Sequence, residues 1–393
     1  MARSCSTPRR RILLTACLTA VLLVIASPAP SAVAGTRTAP ATTELQQLLD
    51  RIVAGGAPGA IGLVRQGATT VRAASGKADL GTHRAMRVGD RFRVGSVTKS
   101  FVATVVVQLA GEGRLGLDDS VERWLPRLVP NGRHITVRQL LNHTSGLFNY
   151  TDDPQVLAPY LENGNPDFRW RPRQLVAIAT AHPPLFAPGT QWSYSNTGYI
   201  LLGMIVEKAT GTDLGQQLRR RIFEPLGLRD TSFPAASARI PGSHAHGYAN
   251  VTPGAPPTDT TELATSWAWA AGAIVSTVDD IARFYRALLG GRILRPDLLT
   301  AMKTTVPAGD SGFRYGLGLL GGDAPCAPIW GHNGDYVGYF DFAITSDNTD
   351  RQVVLMMNID DEVNTPPAAD EAFTTALLAS YCPGASESGA LGE

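Results

Sequence analysis

Lysine is the scarcest charged residue in this chain of 393 residues, with four in all: Lys77, Lys99, Lys208 and Lys303. Cysteine is as rare, again four, too few for a small disulfide scaffold. No charge of one sign prevails. Lys plus Arg number 35 against 34 Asp plus Glu, and the net charge of +1 argues against a nucleic-acid binder. Only 18% of residues are charged while 44% are hydrophobic, which excludes a disordered chain. Internal repeats are absent, and low complexity stops with the leader. What is abundant is Gly (40) and Pro (27), in keeping with a loop-rich globular protein. The length suits one large domain with two lobes or two modest domains.

Residues 1–34 read as a secretory leader. Arg3, Arg9, Arg10 and Arg11 form the basic start, Ile12–Ala26 the apolar run, and Ala32-Val33-Ala34 the small-x-small cleavage site. The run is shorter than the ~20 residues a spanning helix needs, so a cleaved leader is expected, with no membrane anchor afterwards. The arginines before Ile12 fit general secretory or twin-arginine export equally. Four basic residues and no acid leave with the leader, so the remainder is mildly acidic. Cys5 and Cys17 leave too. Cys326 and Cys382 remain as the possible pair in an oxidising compartment, where a disulfide holding the C-terminal helix is expected.

Gly35–Thr43 reads as a linker. Apolar spacing predicts helices over Glu44–Ala54, Val97–Glu112, Val137–Asn142, Pro172–Ala181, Tyr194–Thr210, Asp213–Phe223, Thr277–Leu289 and Ala368–Tyr381. Strands are expected at Ala60–Val64, Thr69–Ala74, Tyr315–Leu319, Val337–Thr345 and Gln352–Met357. Strands thus occupy both ends and helices the middle. The economical architecture is one sheet built from both ends, with a helical lobe inserted and helices covering the sheet.

Of the four lysines, only Lys99 has a serine three residues before it: Ser96-Val97-Thr98-Lys99, at the start of the most apolar helix. Side chains at i and i+3 share a helix face. Burial favours the neutral amine of a lysine. The positive end of the helix dipole favours an alkoxide at Ser96. Together these make a hydroxyl into a usable nucleophile. A second segment, Tyr194-Ser195-Asn196, offers a phenol that could serve as base and then as acid to the leaving group. Asn196 could donate its amide to a substrate carbonyl or to Lys99. A third, Trp330-Gly331-His332-Asn333-Gly334-Asp335, stands just before an expected strand. Its small residues would let a substrate backbone lie along the strand edge. A backbone N–H there, with that of Ser96, would form an oxyanion hole, each donor contributing roughly 10²–10³ in rate.

In this order the three motifs resemble the serine penicillin-recognising enzymes. The likeness is to the secreted Streptomyces D-alanyl-D-alanine carboxypeptidase type, with class C β-lactamases and related esterases. It extends from about residue 45 to Cys382 and includes Leu141-Asn142-His143-Thr144-Ser145-Gly146-Leu147, Ala187-Pro188-Gly189, Ile240-Pro241-Gly242-Ser243-His244-Ala245, Ala271-Gly272-Ala273-Ile274 and Tyr315-Gly316-Leu317-Gly318. The resemblance implies a two-lobed α/β (α+β) fold of the β-lactamase/transpeptidase type, with an antiparallel sheet flanked by helices and an inserted all-helical lobe. Its catalytic unit would run over 44–382, the α/β lobe taking 44–95 and 270–382, the helical lobe 96–269, and a polar tail 383–393. It further implies an acyl-enzyme on Ser96, proton transfer by Lys99 and Tyr194, and His332 in place of a lysine. Phe148 and Trp267 would be walls of the cleft, and Asn196, Asn333, Gly334 and Asp335 would touch substrate. No cofactor or metal is implied. The activity implied is that of a D-alanyl-D-alanine carboxypeptidase-like serine hydrolase of cell-wall-type D-peptides, with an esterase, D-amino-acid amidase or β-lactamase of the same fold, or a non-catalytic penicillin- or peptidoglycan-binding module, as alternatives. The expected partner is a small peptide, ester or β-lactam, taken by a secreted monomer.

One departure bears on substrate. Where the carboxypeptidase type grips a free carboxylate with an Arg and two Thr, this chain places Leu320, Asn333 and Asp335, and Val337 stands for a Gln further on. Losing a charge-assisted bond costs ~1.5–3 kcal/mol, so an ester, an amide or a neutral or amine-bearing peptide is the expected acyl donor. Three other patterns are set aside. Gly309-Asp310-Ser311-Gly312 lacks the partners of a trypsin-like site and reads as a surface turn. His244-Ala245-His246 has no accompanying metal-ligand motif. His143 reads as structural.

Overall fold

The computed structural model describes residues 42–250, 255–359 and 365–384. The leader, residues 35–41 of the linker and the tail from residue 385 lie outside the described residues. The first helix, α1 (Thr42–Ala54), takes in the last two residues of the expected linker. Leu45, Leu48, Leu49 and Ile52 recur at helical spacing and are buried, so one apolar stripe docks α1 on the sheet.

Nine strands form that sheet: β1 (Gly59–Gln66), β2 (Thr69–Asp79), β3 (Arg84–Ala85), β4 (Val306–Pro307), β5 (Arg314–Tyr315), β6 (Leu320–Ala324), β7 (Ala327–Tyr336), β8 (Tyr339–Thr345) and β9 (Arg351–Met357). Their spatial order is β3-β2-β1-β9-β8-β7-β6-β5-β4, and neighbours run antiparallel. The two ends of the chain meet where β1 pairs with β9, from Ala60↔Met357 to Gln66↔Arg351. Alternation along β9 divides the core. Val353, Leu355 and Met357 join the layer of α1 and the last helix, whereas Val354 and Met356 face the other side.

Between the two groups of strands the chain is mainly helical. Its centre is α2 (Thr98–Gly111), buried almost all round, as a helix apolar on every side must be. Against it pack α3 (Asn196–Thr210) and, beside the sheet, α4 (Val278–Leu289). The closing helix α5 (Pro367–Tyr381) returns to the α1 side. Cys326, in the β6–β7 turn, and Cys382, at the end of α5, are joined with Cα atoms 5.5 Å apart. Among the described residues no helix is long and apolar enough to cross a membrane.

Several expectations need correction. Residues 330–335 are not a loop before a strand: they lie on β7 itself. Gly, Asn and Asp are poor strand formers, but pairing with β8 along Trp330–Tyr336 overrides that preference. The next strand starts at Tyr339, because Val337-Gly338 is the hairpin turn, with Gly338 at φ +91. The strand expected at Tyr315–Leu319 is split into β5 and β6 by the turn at Gly316–Leu319. Tyr194 is not part of the helix: it precedes Ser195, the extended residue that caps α3. The helix expected over Asp213–Phe223 covers Leu214–Leu218, then widens into a π turn over Arg219–Phe223.

Candidate active site

Ser96 sits on the 3₁₀ turn Gly95–Val97, and Lys99 lies in the first turn of α2. The turn depends on Gly95. Its φ is +43, and a Cβ there would stand 2.3 Å from the Asp335 carbonyl oxygen. Thus the Ser96 turn presses against β7. It is also stitched to residues 271–274: Val94 N–H donates to the Ile274 carbonyl at 3.0 Å, and Ile274 N–H to Thr98 Oγ1 at 3.1 Å.

Lys99 is wholly buried, while Ser96 keeps some exposure. Lys99 Nζ donates to Ser96 Oγ at 2.7 Å and to the Ala271 carbonyl at 2.8 Å. It stands 4.9 Å from the Tyr194 ring centroid and 5.5 Å from that of Tyr199. Tyr194 Oη, 98 residues away in sequence, is 2.8 Å from Ser96 Oγ. Hydroxyl, amine and phenol therefore converge on one oxygen.

The Tyr194 ring is held by histidines. His143 packs on it with centroids 4.3 Å apart, and its Nδ1 accepts the Ser195 N–H at 3.2 Å. His143 is a non-glycine residue at φ +61, buried, and kept neutral first by burial and then by the charge of Lys99. That placement suits the structural part expected of it.

His332 was expected to be catalytic, and the structure places it behind Tyr194, close to the Ser96 site. It is buried, and both ring nitrogens are engaged. Nδ1 lies 2.5 Å from the Asn333 carbonyl and Nε2 2.7 Å from Tyr315 Oη. One tautomer satisfies both: Nδ1–H donates and Nε2 accepts from the tyrosine. Burial, then the Lys99 charge, brings its pKa down to about 3, so the ring is neutral. It meets Tyr194 ring to ring at 6.4 Å, and Tyr315 does the same. From behind Tyr194, a neutral ring with both nitrogens engaged can orient the phenol.

Asn333 and Asp335 occupy the alternate face of β7 from His332 and Gly334 and are half-buried. β6 pairs with β7 only as far as Gly331, while β8 pairs with the other edge of β7 from Trp330 to Tyr336. Gly334 is hemmed in, since a Cβ would meet the Val94 carbonyl oxygen at 2.2 Å and Asp341 Oδ2 at 2.4 Å. Asn196 does not need Lys99 to satisfy its amide. Its Nδ2 donates to Thr151 Oγ1 at 3.0 Å, and its N–H to Asn149 Oδ1 at 2.9 Å. Phe148 is half-buried and stacks on His182 at 3.9 Å. Trp267 is 8% exposed and packs on Tyr336 at 4.9 Å, more a core residue than an open wall. Leu320 and Val337 are buried. The Ala271 carbonyl and Tyr315 complete the site without any local sequence signal to their roles.

Of the patterns set aside, Ser311 Oγ donates to the Ala308 carbonyl within a turn. His244 and His246 stack at 5.3 Å, and His246 bonds Asp259 at 2.8 Å. Among the described residues no three His, Cys, Asp or Glu group together as a metal set.

An antiparallel sheet covered by helices, with a helical insertion whose first turn bears Ser-x-x-Lys, defines the serine β-lactamase and penicillin-binding class of fold. The chain belongs to the β-lactamase family, whose model matches residues 45–377. It is similar to the crystal structure of a D-stereospecific amidohydrolase from Streptomyces sp., with 38% identity and a TM-score of 0.79 over 87% of this chain and 99% of that one. It is similar also to a D-amino acid amidase from Ochrobactrum anthropi SV3, at 33% identity and a TM-score of 0.76 over 85% of this chain and 96% of that one. Esterase EstB of Burkholderia gladioli is 36% identical over 191 residues, 45% of this chain and 47% of the esterase. The chain spans from about a third to about half of the length of the first curated relatives it matches.

Proposed function

We propose that the chain is a serine hydrolase that forms an acyl-enzyme on Ser96 and cleaves amide or ester bonds of D-configured amino-acid derivatives. The observation that carries this is the convergence on Ser96 Oγ of Lys99 Nζ at 2.7 Å and Tyr194 Oη at 2.8 Å. Ser96 gives its proton to the Lys99–Tyr194 pair as Oγ attacks the carbonyl carbon. The Ser96 N–H and an N–H on the 332–336 edge hold the oxyanion. Tyr194 returns a proton to the leaving nitrogen or oxygen, the carbonyl re-forms and the substrate bond breaks. Water then adds to the ester, its proton passing back to the same pair, and the acid leaves with Ser96 restored.

The leaving group follows from the residues at the edge. A carboxypeptidase acting on D-alanyl-D-alanine termini needs a cation for the terminal carboxylate. Here Leu320 is apolar and buried, and Asp335 brings a carboxylate to the strand that abuts the Ser96 turn. An amide or ester donor avoids that repulsion. The relation to a D-stereospecific amidohydrolase along nearly its whole length supports the same choice.

Two measurements test the reading. Intact mass spectrometry after exposure to penicillin, an acyl-D-Ala-D-Ala peptide and a simple ester should show an adduct on the wild type and none on Ser96→Ala, with turnover lost. A Ser96→Ala variant that keeps turnover would sink the mechanism. Peptides with free and amidated C-termini should favour the amide; a strong preference for the free acid returns the chain to the carboxypeptidase class.

A further inference from the structure

We infer that Asp152 is the anchor for a positively charged amino group on the substrate, which makes it a specificity-determining residue. The inference rests on the amidohydrolase reading above and names what part of the substrate the site selects. Asp152 closes a short turn, Tyr150–Asp152, that follows the expected cleft residue Phe148. That turn is bolted to the Tyr194-Ser195-Asn196 segment. Asn149 Oδ1 accepts the Asn196 N–H at 2.9 Å, Asn196 Nδ2 donates to Thr151 Oγ1 at 3.0 Å, and Tyr150 N–H donates to Thr197 Oγ1 at 3.1 Å. On its other side Tyr150 Oη donates to the Trp267 carbonyl at 2.5 Å. The carboxyl of Asp152 therefore hangs from a turn wedged between the segment of the catalytic phenol and the Trp267 segment.

Two adjacent carboxylates on this turn are treated differently. Asp153 has a cationic-type partner, His182 Nε2 at 3.0 Å, beneath the Phe148 ring. Asp152 has only an amide: Asn149 Nδ2 donates to its Oδ1 at 2.8 Å, and no Lys, Arg or His pairs with it among the described residues. Burial raises its pKa to about 6. A half-buried carboxylate that is held by a neutral amide and faces no cation is destabilised in the empty protein. An ammonium group arriving there would supply a charge-assisted bond and recover that loss. Nothing in the packing of the turn requires the charge, because Asn149 could serve an asparagine at 152 through its oxygen.

The test uses Asp152→Asn in the full chain with three substrates. D-Alanine p-nitroanilide has a free amine, N-acetyl-D-alanine p-nitroanilide has none, and p-nitrophenyl acetate reports on Ser96 alone. With D-alaninamide as a competing amine, the expected result is that Asp152→Asn lowers kcat/KM for the free-amine anilide at least tenfold, mostly through KM. The ester rate should stay within twofold, and the variant should lose inhibition of ester hydrolysis by D-alaninamide. An equal fall on all three substrates would make Asp152 merely structural and overturn the inference. So would an unchanged preference, or a loss that follows Asp335→Asn instead. If the wild type hydrolyses the ester but D-alaninamide neither inhibits nor reacts, the anchor is refuted while the Ser96 chemistry stands. If the ester is also inert, the hydrolase reading itself fails.

Discussion

Two buried ionisable residues, one on a helix and one on the sheet, are treated by the protein in opposite ways. Lys99 is wholly buried, yet its amine meets Ser96 Oγ and the Ala271 carbonyl and lies over two aromatic rings. Asp341 on β8 is just as deeply buried, and neither of its oxygens has a hydrogen-bond partner among the described residues. It lies opposite Gly334, on the same face as Ala343 and Met356. Burial alone pushes its carboxyl well above the usual range, which favours the neutral acid. A buried ionisable group with partners can be kept for chemistry, whereas one without them is driven to its neutral form. The difference separates a working group from a tolerated one.

The comparison is broken most directly at the lysine. Lys99→Met keeps the length of the side chain and removes the amine. Its kcat/KM on an ester should fall ~10²–10⁴-fold, the range of a lost general base. Its urea midpoint should move little, because an apolar replacement for a buried ion is often neutral. Retained activity would show that Tyr194 alone handles the proton.

The same comparison predicts the opposite outcome at Asp341. The unfolded chain ionises this group near ~4, but the folded chain does not until much higher pH. Above the unfolded value the folded state therefore holds the extra proton, and stability falls as pH rises. Asp341→Asn cannot ionise in either state, so it escapes that loss and at neutral pH should be more stable by about 1–3 kcal/mol, since each pH unit over which only the folded state holds the proton costs ~1.4 kcal/mol. The gain should shrink towards zero as pH approaches 4. Denaturant titrations at pH 7 and pH 4 check both the sign and the trend. A variant less stable at pH 7 would mean that the folded protein holds the ionised carboxylate with a partner.

These differences also mark how far the sequence could be read. Ser96 and Lys99 were legible because helical spacing alone puts positions three apart on one face. The sheet built from both chain ends was legible from where apolar runs and turns fall. Tyr194 was legible as a candidate phenol, but its pairing with Ser96 came only through resemblance, since nothing local ties it to a residue 98 positions away. The Ala271 carbonyl, 172 positions from Lys99, was not reachable at all. β7 was missed because Gly331, Gly334, Asn333 and Asp335 disfavour a strand until β8 pairs with them. His332 was placed at the site by type, but its part depends on Tyr315 and Asn333, which only the fold brings to its two nitrogens. Asp341 gave no sign, because a single acid in an apolar strand has the same letters whether it is bare or bonded.

His332 allows the finest version of the comparison, a buried titratable group that has partners but no charge. Its ring is neutral down to about pH 3 in the folded protein, whereas the unfolded chain protonates it near ~6.5. Between those values the unfolded state holds more protons, so stability contributed at neutral pH is lost as pH falls. His332→Asn should therefore lose less stability than the wild type on going from pH 7 to pH 4.5. Its effect on rate should be small, about two- to tenfold, the range of one hydrogen bond behind Tyr194. The shape of the rate profile between pH 5 and 8 should be the same in both proteins, because the ring does not titrate there. An inflection near pH 6.5 that disappears in His332→Asn would mean that the imidazole takes protons during turnover and is catalytic after all.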